Sequence, residues 1–316
     1  MKASEPRDKI YAMRSQLTDT FGRMDVDYNQ PIESVFATAT RYMLMQSNGL
    51  ESLYHASRPT KLGNLPSWAI DWASEEDMEY FWYHSLPWME RRVCGGSEPL
   101  YRFSVDGRAL YLRGRLVGKV HDRYVSPVCP CCSDSRGTAK YDTFSDQKVV
   151  SVILKEAAAW FSDLTAAANA APGTIDPALT VPQSTLSSVA SLLDFIRSQS
   201  FERIRKKFVS SFQLTPKNDL KKMVSKIASD RMFSRKFAAY LGTGRLFLTA
   251  KGSFGCALRS IEPGDLLCIF SGLPYPFAVR PSGSSYILVG PVLLDGVMEG
   301  EMWPEDESVL EEWEFV

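Results

Sequence analysis

A chain of 316 residues with 45% hydrophobic content is long enough to bury one large or two modest cores. A formal net charge of -1 gives no global attraction to nucleic acid or an anionic membrane, and no run of about 20 apolar residues provides a transmembrane helix. The amino-terminal stretch lacks the apolar core of a signal peptide, and six cysteines, three bunched at Cys129, Cys131 and Cys132, do not make a secreted disulfide framework, so a reducing, cytoplasmic setting is expected.

Residues 1–100 read as a helical, Trp-rich segment. Its clearest helix is 31–47, where Ile32, Val35, Phe36, Ala39, Tyr42 and Met43 recur at three and four residues and make one apolar stripe. Pro31 suits the first turn, where a missing N–H costs nothing. Arg7 and Asp8 read as an ion pair or a helix-start contact. In Leu65-Pro66-Ser67-Trp68-Ala69-Ile70-Asp71-Trp72, two indoles four apart flank a carboxylate. Trp68 and Trp72 can wall a flat ligand, and Asp71 buried between them can serve as a general base. As packing, the same residues are two anchors and an acceptor for an indole or backbone N–H. Residues 75–92 concentrate Tyr80, Phe81, Trp82, Tyr83 and Trp88 around His84. Aromatic density of this kind lines clefts for small apolar ligands, and equally lets a helix broken near Pro87 dock on a sheet.

Residues 101–125 alternate better than any other stretch. Leu110, Leu112, Gly114, Leu116 and Gly118 are expected on one face, with Tyr111, Arg113, Arg115 and Val117 on the other. Asp106-Gly107 is a hairpin signal, and these strands are expected to join the carboxy-terminal sheet despite the long separation.

Residues 126–243 read as helical, with a Pro-rich loop at 172–184. Helices are expected over 148–171, 186–212 and 219–241. The cluster Cys129-Pro130-Cys131-Cys132, with His121 upstream, lacks the second ligand pair of a tetrahedral zinc shell and reads as a loop of oxidisable thiols; no metal is expected. Residues 203–236 carry eleven Lys or Arg against two Asp, and residues 295–316 carry nine acidic residues and no basic one. Mutual neutralisation is the cheaper explanation of both, a solvated helix face the second and nucleic acid a distant third, since no pattern of stacking positions is read within the basic run.

Residues 244–300 read as an antiparallel β module: short apolar runs bounded by Gly, Pro and Asp, with turn chemistry at Gly264-Asp265 and Ser282-Gly283. Gly252 and Gly255 match no phosphate-binding loop, and no cofactor is expected. Arg280 at a strand end can hold a carboxylate, or be structural. Tyr286 opens the next strand and joins Trp68, Trp72, Trp82 and Arg280 as a ligand-binding candidate. Residues 301–316 read as an acidic tail. The fold class is α+β, a helical layer packed on a mostly antiparallel sheet or small barrel. The expected core includes Phe36, Trp68, Trp72, Leu112, Trp160, Leu246, Phe247, Leu266, Ile269 and Val289.

The string Arg245-Leu246-Phe247-Leu248-Thr249, then Glu262-Pro263-Gly264-Asp265, Pro276-Phe277-Ala278-Val279-Arg280-Pro281, Tyr286 to Gly290 and Asp295 to Glu301 resembles the carboxy-terminal region of fungal heterokaryon incompatibility (HET) proteins. The resemblance resumes in Pro6 to Tyr11, Asp27-Tyr28, residues 31–42 and residues 65–72, and so covers roughly half the chain at its two ends. In the family a HET domain precedes the Pro6-Arg7-Asp8-Lys9 string. Met1 stands five residues before it, so the resemblance implies the family's tail without its head. The function it implies is a binding or regulatory module of nonself recognition without its effector domain. The alternative is a cofactor-free enzyme of a fungal secondary-metabolite pathway, a cyclase or isomerase with an aromatic-lined pocket in which Asp71 and His84 are catalytic. A gene product that folds without acting is the third reading. The expected partner is a small apolar metabolite or a protein, with no nucleic acid and no membrane.

Overall fold

A computed structural model describes residues 4–14, 24–47, 49–56, 62–74, 93–126, 159–160, 244–258 and 260–316. Trp82, His84, the cysteine cluster, the basic run of 203–236 and nearly all of the helices expected over 148–241 lie outside the described residues.

The first helix, α1 (Asp8–Arg14), is followed by α2 (Ile32–Leu44), a 3-10 turn (Gly49–Ser52) and the one-turn helix α3 (Leu53–Ala56). Pro31 occupies the position just before α2 begins; of the expected stripe Val35, Phe36 and Ala39 are buried and Ile32, Tyr42 and Met43 partly so, while Leu44, not counted in it, is buried too. Thr40 fixes what α2 packs against. Its hydroxyl donates to the Phe36 carbonyl and accepts the Ile70 N–H, each at 2.9 Å, which ties the helix to residues 65–72. Arg7 and Asp8 both latch Tyr28: the guanidinium donates to its carbonyl at 2.9 Å and the carboxylate accepts its hydroxyl at 2.6 Å.

Eight strands follow: β1 (Tyr101–Phe103), β2 (Leu110–Val125), β3 (Gly244–Thr249), β4 (Phe254–Leu258), β5 (Leu266–Phe270), β6 (Phe277–Ser282), β7 (Ser285–Leu294) and β8 (Glu311–Phe315). Their pairing runs β2-β3-β4-β7-β6-β5, and β5 returns to β2, so these six strands close a ring. Closure removes the open edges that a sheet of this apolarity would expose. All pairings are antiparallel except the short contact of β7 with β8. The described residues are therefore mostly β. The strongest trace of the expected helical layer over 148–241 is Trp160, whose ring lies 5.9 Å from that of Phe254.

β2 is the organising strand. It pairs with β1 through Leu110–Leu112, with β8 through Leu110–Gly114, with β5 through Gly114–Lys119, and with β3 from Val120. The hairpin from β1 turns at Asp106-Gly107, with Gly107 at φ +69°, a conformation that glycine adopts without strain. At Gly114 a Cβ would meet Phe270 Cδ1 at 2.3 Å and the Ile269 carbonyl oxygen at 2.4 Å, so only glycine lets β2 pass this close to β5.

The even alternation expected along β2 breaks. Leu116 pairs with Cys268 and Gly118 with Leu267, so Val117 is an extra residue opposite β5. This bulge reverses the inward face: Leu116 is 45% exposed and Val117 only 9%. The acidic tail also differs from its reading. Residues 311–315 form β8, in which Trp313 and Phe315 point inward while Glu311 and Glu312 stay exposed. Seven of the ten expected core residues are buried; Trp72, Trp160 and Leu266 are partly so.

Candidate functional site

α2, the loop of residues 62–67, the hairpin turn at 106–108 and the strands β6 and β7 enclose a groove of about 1210 Å³. One wall is the side of α2 bearing Glu33, Ser34, Ala37 and Arg41; the facing wall is Ile287, Leu288 and Val289 of β7. The loop is pinned by Ser67, whose N–H donates to the Val316 carbonyl and whose hydroxyl accepts the Leu288 N–H, both at 3.0 Å. The opposite end is set by the turn, where the Asp106 carboxylate accepts the Ser104 hydroxyl at 2.6 Å and the Arg108 N–H at 3.1 Å. These bonds hold Asp106 below the usual carboxylate range, the Ser104 hydroxyl being the larger cause.

Of the described candidates, only Arg280 lines this groove. Its Nε donates to Asp265 Oδ1 at 2.8 Å, its Nη2 to Asp265 Oδ2 at 3.0 Å and to the Ser260 carbonyl at 2.7 Å, and its Nη1 lies 3.1 Å from Glu262 Oε2. The carboxylate it holds belongs to the protein. Asp265 raises the Arg280 pKa further through these bonds, so the guanidinium is fixed and charged.

The other candidates are placed apart from the groove. Trp68 is fully buried; its indole N–H donates to the Arg108 carbonyl at 3.1 Å and its ring meets Phe103 edge-on at 5.3 Å. Asp71 is buried and accepts the Ala73 N–H at 2.9 Å, closing a local turn. Trp72 is partly buried, its carbonyl accepts Lys9 Nζ at 2.9 Å, and its indole N–H has no acceptor among the described residues. Tyr286 packs its ring 4.6 Å from Trp313 and 6.4 Å from Phe315. Trp82 and His84, as stated, lie outside the described residues.

Arg41, Arg108 and Ile287 line the groove without having stood out in the sequence. Their only linear signal is position, a polar-face arginine on α2, the residue after a turn glycine and one apolar residue in a strand. Among the described residues no group of three or more His, Cys, Asp or Glu could hold a metal. Cys94, Cys256 and Cys268 are free and buried. Burial pushes the Cys256 thiol up to about 12 and the Cys268 thiol well above its ordinary value, so neither is a thiolate nucleophile near neutral pH. No helix among the described residues is long and apolar enough to cross a membrane.

Comparison with known proteins assigns the barrel. Residues 195–310 match the family described as the Het-6 beta-barrel domain. The carboxy-terminal region of this chain is thus similar to the barrel domain of heterokaryon incompatibility proteins. Over 82 residues the chain is 33% identical to heterokaryon incompatibility protein 6, OR allele, of Neurospora crassa, a stretch that makes up 23% of this chain and 12% of that protein. The chain thus spans a small part of this curated relative's length. No solved structure matches. The Het-6 match contains β3 to β7, whereas β2 and β8, which complete the strand pairing, lie outside it. The groove is likewise composite: its β6–β7 wall falls inside the Het-6 barrel match and its α2 wall outside.

Proposed function

We propose that the chain is a heterokaryon-incompatibility-like recognition module, in which the closed barrel is a rigid platform and the groove receives a segment of a protein partner. The observation that supports this reading is the groove itself. Its walls come from segments far apart in sequence and fixed by the barrel, and its volume of about 1210 Å³ exceeds the roughly 300–1,000 Å³ typical of small-molecule pockets. It is also lined by polar and apolar side chains together, as protein interfaces are.

The test is a substitution that places a charge on the apolar wall of the groove without entering the core. Ile287 is 37% exposed on the β7 wall, so Ile287→Asp leaves the barrel interior intact. Wild-type and variant chains are expressed at equal abundance in strains of Neurospora crassa of differing compatibility. A strain-dependent growth arrest by the wild type that Ile287→Asp abolishes, at unchanged Tm, is the expected result. An equal response from both chains would refute the groove as the recognition site.

A further inference from the structure

The groove is electrically lopsided. Arg41 and Arg108 converge on one end: a Cβ built on Gly107 would lie 3.0 Å from Arg41 Nη1, and Arg108 is the next residue of the same turn. Both arginines are exposed. Arg41 stacks its guanidinium 5.2 Å from the centre of the Phe103 ring, which positions the group without neutralising it. Among the described residues neither arginine makes an ion-pair contact with a carboxylate; Asp106 accepts the Ser104 hydroxyl and the Arg108 N–H and attracts the Arg108 charge only through space, which leaves both guanidinium groups open to a ligand. Glu33 is eight residues before Arg41 on α2, so it stands about 12 Å away along the helix axis. Between the two charged ends the β7 wall presents Ile287 over Leu288 and Val289.

Resting on the groove as recognition site, we infer that its partner is an acidic–aliphatic peptide segment, whose carboxylates meet Arg41 and Arg108 and whose aliphatic side chains cover Ile287. Two planar guanidinium groups around one turn match carboxylates better than they match an uncharged chain. The partner does not add a strand to β7 at Leu288, because that N–H is already donated to Ser67. Affinity therefore comes from side chains, and it weakens with salt, since charges at the mouth of an open groove are screened over about 8–10 Å.

The test uses the full chain and a fluorescein-labelled nine-residue peptide alternating Asp and Leu, read by anisotropy. A peptide with Lys in place of Asp is the control, and inorganic polyphosphate and a single-stranded oligonucleotide are competitors. Saturable binding of the Asp peptide alone is expected, weakened at least tenfold by Arg41→Glu/Arg108→Glu and by raising salt. Both arginines are exposed, so the double variant loses no more than the Arg41 contact with Phe103 and still melts cooperatively; Arg41→Gln/Arg108→Gln, which removes charge without reversing it, guards against misfolding. Three outcomes overturn the inference: no saturable binding of the Asp peptide, equal binding by wild type and both double variants, or stronger binding of the oligonucleotide or polyphosphate than of the peptide. If Ile287→Asp abolishes the growth response while the arginine variants retain it, the groove stands as recognition site and the acidic partner falls.

Discussion

Arg280 shows how a single residue can be well chosen and still mean something other than its type suggests. A strand-end arginine with spare donors is what a carboxylate ligand needs, and Arg280 does hold a carboxylate in two-point geometry. That carboxylate is Asp265, 1% exposed, which also accepts the Glu262 N–H at 2.8 Å and so locks the turn entering β5. Removing the arginine leaves Asp265 charged, buried and held by one backbone donor. Arg280→Met is therefore expected to cost roughly 3 kcal/mol, the low end for breaking a buried pair because the guanidinium is partly open to solvent. Arg280→Lys should recover only part of this, since an ammonium cannot make the paired contact. Urea unfolding of the three chains measures both, and a change under about 1 kcal/mol for Arg280→Met would show that the pair is no more than a surface contact.

At the scale of elements, β2 makes the sharpest prediction. Its alternation is legible up to Arg115, but the extra residue at Val117 swaps the two faces, and nothing in the letters Leu116-Val117 distinguishes an inward residue from an outward one. Leu116→Asp is expected to shift stability by no more than about 0.5 kcal/mol, as a surface change does, whereas Val117→Asp buries a carboxylate without a partner and should cost at least about 3 kcal/mol. Thermal denaturation of the two variants decides the facing; the opposite order would place the bulge elsewhere. α2 was readable for the converse reason, since a stripe repeated over three turns has no single residue that can invert it. β8 was not, because Glu311, Glu312 and Glu314 dominate its composition, and the alternating Trp313 and Phe315 supply only two inward positions. The groove was the least legible feature. Its residues lie from 31 to 316 and become neighbours only through strand pairing, which carries no local mark.

At the scale of the molecule, the limits of the matched barrel and of the folded barrel differ, and the difference has a consequence. The ring β2-β3-β4-β7-β6-β5 needs β2, which bonds to β3 on one edge and to β5 on the other. Residues 195–310 contain neither β2 nor β8. Without them, β3 and β5 become open apolar edges, and Phe270, fully buried against Trp313 and Phe315 at ring distances of 6.3 Å and 5.7 Å, loses these two aromatic neighbours and keeps Phe277. Open edges of this kind pair with other chains rather than staying single. The segment 195–310 expressed alone is therefore expected to aggregate or to unfold without a cooperative transition, while the full chain melts cooperatively. Adding back a peptide of residues 101–126 should restore part of the β signal in far-UV circular dichroism, because β2 supplies both missing pairings at once. A segment 195–310 that is monomeric and melts cooperatively by itself would mean that the barrel closes by β3 meeting β5, and that β2 is an external strand rather than the stave that completes it.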